Sequence, residues 1–197
     1  ALSDRMQKDL ETISSLSKKT GPDLSFRLTD PPAILADLQT QMSGDFPVLS
    51  EASKKYEIRY VPAQLESTLS PAFYLTAPLD DPTRNVIYIN NGSTSAKDEL
   101  YPTLAHEGFP GHLYQTVYSS LVCDTQTLPI RKLFSYGGYV EGWAYYTERI
   151  SYEYAAQVLA EAEGSLGSSY PAALLCTLLA QQRDLQINLF CLLDLSL

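Results

Sequence analysis

The sequence predicts a mainly α-helical chain with a short β-sheet subdomain at about residues 55–91. Three observations predict it. From Ser95 almost to the C-terminus, apolar residues recur at helical spacing. Residues 44–85 are interrupted by Pro47, Pro62, Pro71, Pro78 and Pro82, with short β-prone runs between them. Asn85-Val86-Ile87-Tyr88-Ile89-Asn90 is the strongest strand pattern in the chain and is closed by Asn91-Gly92. We therefore expect one domain in three parts: a helical lead-in over 1–43, a strand-containing part over 44–94 and a helical part over 95–197.

Taken in order, Leu2, Met6, Leu10, Ile13 and Leu16 mark an amphipathic helix over residues 1–20, stopped by Thr20-Gly21-Pro22. A second short helix follows Pro31-Pro32, with Ile34, Leu35 and Leu38 on one side. Glu57–Val61 and Phe73–Leu75 are candidate strands, and Asp80-Asp81-Pro82 is a turn signal. Ser95 with Asp98 resembles a capping box that opens the helical part. The mostly apolar stretch from Tyr170 to Leu197 suggests a buried helix pair in the core.

Composition narrows the partners. Of 197 residues, 45% are hydrophobic and 19% charged, as in a folded globular chain. The formal charge of −9 makes nucleic acid a poor match as a partner, and none is expected. There is no apolar run of about 18 residues to form a transmembrane helix, and no signal peptide. The chain opens on Ala1 rather than Met, which is expected of a processed or excised piece, so the compartment, cytoplasmic or exported, depends on what precedes it. Cys123, Cys176 and Cys191 are an odd, widely spaced set, which argues against a disulfide framework or a thiolate metal site; buried small hydrophobes are expected.

The chemistry sits in His106-Glu107-Gly108-Phe109-Pro110-Gly111-His112, which holds both histidines of the chain. Imidazole nitrogen and carboxylate oxygen suit zinc, and a catalytic site keeps one position open. The usual H-E-x-x-H puts two histidines on one helical face. Here the spacing is six residues, an advance of about 600°, which would leave the second imidazole about 120° off the first on a regular helix. Pro110 and Gly111 are the residues able to correct this: proline interrupts the hydrogen-bond ladder and glycine permits an unusual path. One helix is expected to end near Gly108 and another to begin near Pro110. Glu107 is then placed as general base.

A third ligand is available in Glu141-Gly142-Trp143-Ala144-Tyr145-Tyr146-Thr147-Glu148. Glu141 and Glu148 are two helical turns apart, so they share a face but lie about 10 Å apart along the axis. Glu141 is the expected ligand and Glu148 a supporting carboxylate. Small Gly142 and Ala144 would allow close helix packing near the metal. Tyr145 and Tyr146 are candidate phenol donors to an oxyanion, and Gln115, three residues after His112, a candidate supporting group. Each of these last three, and Glu148, also has an ordinary structural reading as a surface or packing residue.

These motifs, HEGFPGHLYQ over 106–115 and EGWAYYTE over 141–148, together with the preceding strand, resemble the bacterial domain-of-unknown-function 885 family, which is placed with the gluzincin metallopeptidases. Every fixed position of its pattern is matched, over a resemblance running from about Phe46 to the C-terminus; family members are much longer, with helical regions on both sides. The resemblance implies a zincin-like helical body, a Zn2+ cofactor held by His106, His112 and Glu141, and hydrolysis of a peptide substrate with Glu107 as base. Residues 86–91 precede the first zinc helix as an edge strand does in related peptidases, which makes Tyr88, Asn90 and Asn91 candidate substrate-binding residues through backbone pairing. Two alternatives stay open: a peptide-binding module with a vestigial metal site, and a zinc hydrolase of non-peptide amides or esters.

Overall fold

The computed structural model of the protein describes residues 29–51, 53–78, 81, 83–92, 96–123, 136–166 and 172–196. The expected helix over 1–20, Ser95 of the capping box and two residues of the Asp80-Asp81-Pro82 turn lie outside these. The chain divides into two compact units, one of Phe26–Ser151 and one that takes in the residues from Tyr152 onward.

In the first unit, helix α1 spans Pro31–Gln41. Asp30 caps it, its carboxylate accepting from the Ala33 N–H at 3.2 Å. Pro31 and Pro32 occupy its first turn, where no N–H partner is needed. Ile34, Leu35 and Leu38 form the expected inner stripe and are fully buried; at roughly 1.5–3 kcal/mol for each such side chain, this stripe outweighs the weak intrinsic stability of so short a helix.

Three strands follow: β1 over Glu57–Tyr60, β2 over Ala72–Leu75 and β3 over Val86–Ile89. The sheet order is β1-β3-β2. β1 runs parallel to β3, with Glu57 opposite Val86, and β2 runs antiparallel to it, with Ala72 opposite Ile89. Thus β3, the strand expected at an edge, is central and hydrogen-bonded on both sides. Its Val-Ile-Tyr-Ile run fits that place, since Val86, Ile87 and Ile89 are all buried. Asn85 and Asn90 close its ends from inside. The Asn90 amide donates to the carbonyls of Glu66 at 2.8 Å and Leu69 at 2.9 Å, while its Oδ1 accepts from the Gly92 N–H.

Helix α2 runs over Ala96–Glu107 and packs on α1 and β2. Helix α3 runs over His112–Cys123. Leu104, Ala105, Phe109 and Leu113 are buried around the junction between them. Helix α4 spans Gly137–Leu166 and enters the second unit at Tyr152.

In the second unit, helix α5 runs unbroken over Ala172–Ser196, one helix where a pair was expected. Cys176, Leu178 and Ala180 are buried in its first half, whereas Leu185, Leu189, Phe190, Leu192 and Leu193 are half exposed. Cys191 lies in this exposed half, so it is not the buried hydrophobe expected, while Cys176 is. No helix among the described residues is long and apolar enough to cross a membrane.

Candidate metal centre

Helix α2 ends on Glu107 and α3 starts on His112, so the six-residue spacing is accommodated by a break at Gly108–Gly111. Two glycines make the break possible. A Cβ on Gly111 would overlap the carbonyl oxygens of Ala105 and His106, and one on Gly108 would come within 2.6 Å of the Leu35 side chain. The second helix begins two residues later than Pro110, and the Gly111 carbonyl accepts from the Gln115 N–H at 2.9 Å as α3 starts. The two imidazoles meet edge to face, with ring centroids 4.8 Å apart.

Glu141, on the second turn of α4, faces them. Its Oε2 lies 3.5 Å from His106 Nε2 and 3.6 Å from His112 Nε2. These separations are long for hydrogen bonds. They are close to the roughly 3.4 Å expected between two ligands of one tetrahedral zinc with bonds near 2.0–2.1 Å. Donor atoms of the three residues all lie within 4.8 Å of one another. The set of two nitrogens and one carboxylate oxygen is a zinc-type set, with room for a fourth position. The Glu141 side chain is 66% exposed.

Glu148 takes the other side of His106. Its buried carboxylate lies 3.0 Å from His106 Nδ1, which leaves Nε2 to face Glu141. A carboxylate on the far nitrogen of a histidine fixes the tautomer and orientation of the ring. Burial disfavours the imidazolium of His106, but the Glu148 bond and the charges of Glu107 and Glu141 outweigh it and raise its pKa. Burial and the neighbouring His106 lower the pKa of His112, against the opposing pull of Glu141.

Glu107 stays out of the donor set. Its Oε2 accepts from the Tyr74 N–H of β2 at 2.9 Å. Burial pushes its carboxyl above the ordinary carboxylate range, opposed by that N–H bond and by His106. Tyr74 is in turn anchored through its hydroxyl, which donates to Asn85 Oδ1 at 2.7 Å. Sequence reasoning missed Tyr74, yet a signal existed: Pro71 just ahead of a short strand marks an edge strand.

The remaining candidates divide. Tyr145, four residues after Glu141, shares the stripe of α4 that carries Glu141 and Glu148. Tyr146 lies about 140° around the helix from Glu141; it is exposed, with its ring 6.2 Å from that of Trp143. Trp143, inside the same motif, has a role that the sequence pattern does not reveal: its indole N–H donates to the Pro110 carbonyl at 2.9 Å, tying α4 to the α2–α3 break. Gln115 is buried, and its amide nitrogen has no hydrogen-bond partner among the described residues. Ala144 is buried as close packing requires, but Gly142 is exposed, with open space where a Cβ would stand.

Tyr88, Asn90 and Asn91 are the residues expected to meet substrate through backbone pairing along β3. β3 has no free side on which a peptide could pair, because β1 and β2 occupy both. The Tyr88 ring stacks on Phe73 at 5.1 Å, the Asn90 side chain is spent on the loop carbonyls, and Asn91 is an exposed turn residue. Among the described strands, the sheet edge next to Glu107 belongs to β2.

Comparison with known proteins adds fold and family. A crystal structure described as "the putative lipoprotein from Colwellia psychrerythraea" aligns with a TM-score of 0.57 and 24% identity, over 80% of this chain and 24% of that one. The likeness is one of fold, and the chain spans about a quarter of that protein's length. No match is found among curated proteins. The family described as "Bacterial protein of unknown function (DUF885)" matches residues 26–168, which include every donor of the centre and both motifs, and the chain belongs to that family.

Proposed function

We propose that this chain carries the catalytic centre of a zinc-dependent, gluzincin-like metallopeptidase with a zincin-like helical body. The observation that carries this reading is the approach of two imidazole Nε2 atoms to one Glu141 oxygen at 3.5 and 3.6 Å, with Glu107 alongside but bonded elsewhere. A purely structural metal site needs no such carboxylate.

His106, His112 and Glu141 would hold the ion, with Glu148 orienting His106. Zinc, when bound, supplies Lewis-acid polarisation of a carbonyl and eases deprotonation of a water. Glu107 takes the proton of the attacking water and delivers it to the leaving amine. Tyr145, on the stripe between Glu141 and Glu148, is the better placed of the two tyrosines to donate to the oxyanion. The peptide would lie along β2 rather than β3. Ala72 is buried, so the pairing would centre on the half-buried Tyr74.

The test is zinc content and digestion of a mixed-peptide pool on the same preparation of the full-length protein, wild type against Glu107→Gln. The amide is nearly isosteric but accepts no proton. We expect a loss of about 10²–10⁴ in rate with zinc retained. Zinc binding without turnover in the wild type would favour a binding module; turnover of esters but not peptides would favour the non-peptide hydrolase.

A further inference from the structure

The Glu107 carboxylate is bonded to a main-chain donor that belongs to the sheet. Which donors of β2 are free follows from the phase of its ladder. The Asn90 N–H bonds to the Pro71 carbonyl at 2.8 Å, so Pro71 opposite Asn90 is a hydrogen-bonded pair. In an antiparallel ladder such pairs alternate. Phe73 opposite Tyr88 and Leu75 opposite Val86 therefore turn their N–H and C=O groups towards β3. Ala72 and Tyr74 turn theirs away. Tyr74 is the first residue of this row that is not buried, and its N–H is the donor that Glu107 occupies.

An extended peptide pairing with this edge needs the same atom. Hydrogen-bonded pairing opposite Tyr74 takes its N–H with a substrate carbonyl and offers a substrate N–H to its C=O. One N–H makes one good bond of this kind, so the carboxylate and the substrate carbonyl compete for it. The geometry points to Tyr74 as a shared donor: its N–H holds Glu107 while the edge is open and passes to a backbone carbonyl of the peptide substrate when the edge is filled, which frees the carboxylate for the attacking water. This rests on Glu107 being the general base. It makes an extended substrate, one that reaches Tyr74, a condition for full release of the base. A short substrate that stops before β2 leaves the base tethered.

The test follows the Tyr74 N–H directly, without turnover. The protein is labelled with 15N-tyrosine, and the Tyr74 amide resonance is recorded in wild type and Glu107→Gln, each free and saturated with an oligo-alanine peptide carrying one reduced, uncleavable amide. Saturation is read from the fluorescence of Trp143. We expect the two proteins to differ at Tyr74 when free and to coincide when peptide is bound. A difference that persists at saturation would overturn the inference, since Glu107 would still hold the donor; so would a Tyr74 resonance that peptide leaves unmoved. A second arm replaces the residue 74 amide by an ester through the hydroxy-acid analogue of tyrosine, which removes the N–H alone. For extended peptides KM should rise about fivefold, as for one lost hydrogen bond, while kcat/KM for a dipeptide amide should rise or hold. Equal losses on both substrates would mean that the N–H merely orients Glu107. If no extended peptide binds at all, the peptidase reading itself falls, a result distinct from binding that leaves Glu107 in place.

Discussion

Glu148 Oε2 and His106 Nδ1 lie 3.0 Å apart, a buried carboxylate against the back of an imidazole whose other nitrogen faces Glu141. The pair spans α2 and α4, so it sets the ring on one helix from a fixed point on another.

That relationship makes Glu148→Gln informative. The amide can still accept from Nδ1, but the charge that favours this tautomer and strengthens the nitrogen as a ligand is gone. Zinc affinity should fall about 10–100-fold, the range found when such outer partners are lost. At saturating zinc, turnover should recover most of its wild-type value. Competition with a chromophoric chelator measures the affinity; an unchanged affinity would make Glu148 a packing residue.

Glu141→Ala separates binding from folding. Glu141 is 66% exposed, so its removal should leave metal-free stability within about 0.5 kcal/mol of wild type. Wild-type protein at a hundredfold excess of zinc over its dissociation constant gains about 2.7 kcal/mol from binding, and the variant should lose that gain. Paired thermal melts with and without zinc give both numbers. A large drop without zinc would mean that Glu141 serves the fold.

Much of the centre was legible because local chemistry dictates it. The six-residue histidine spacing cannot work on a regular helix, so Pro110-Gly111 had to break it, and α2 and α3 do part there. The seven-residue spacing of Glu141 and Glu148 put both on one helical face, and their carboxylates lie against opposite nitrogens of His106. The sheet was legible only strand by strand. Val86–Ile89 reads as a strand from its β-branched residues, but its neighbours are set by long-range pairing that no local pattern encodes, so its central place was missed. Burial on both faces and the proline ahead of β2 were the available clues. The second half of α5 reads as core by composition, yet hydrophobicity alone does not say whether a surface is covered.

Gly111→Ala should be among the most damaging small substitutions. The added methyl would overlap the carbonyls of Ala105 and His106, which are main-chain atoms of a helix end and cannot step aside as a flexible side chain does. A cost of about 2–4 kcal/mol is expected, above the usual range for a surface glycine. Because the strain falls beside His106, zinc binding should weaken further than the stability loss alone implies. Denaturant titration of the metal-free protein, followed by zinc titration, checks both parts. Ala at Gly142, where a Cβ meets nothing within 4 Å, is the matched control and should be neutral or slightly stabilising.

Trp143→Phe tests whether the break between the histidine helices is held from α4. The Trp143 indole N–H donates to the carbonyl of buried Pro110 at 2.9 Å. The ring also stacks near Tyr114, at 6.4 Å and 10° between planes, and meets Phe46 edge to face at 5.9 Å. Phenylalanine retains much of that aromatic contact but donates nothing, so the Pro110 carbonyl loses this donor in a place where water is scarce. An unsatisfied buried acceptor costs about 1–3 kcal/mol, and the melting temperature should fall by several degrees. The distinguishing measurement is zinc affinity by calorimetry, since the variant lacks the single tryptophan of the chain. If the bond positions Pro110-Gly111, and through it His112, affinity falls along with stability. If stability falls while affinity holds, Trp143 packs the flank of the site and the break is kept in place by the glycines alone.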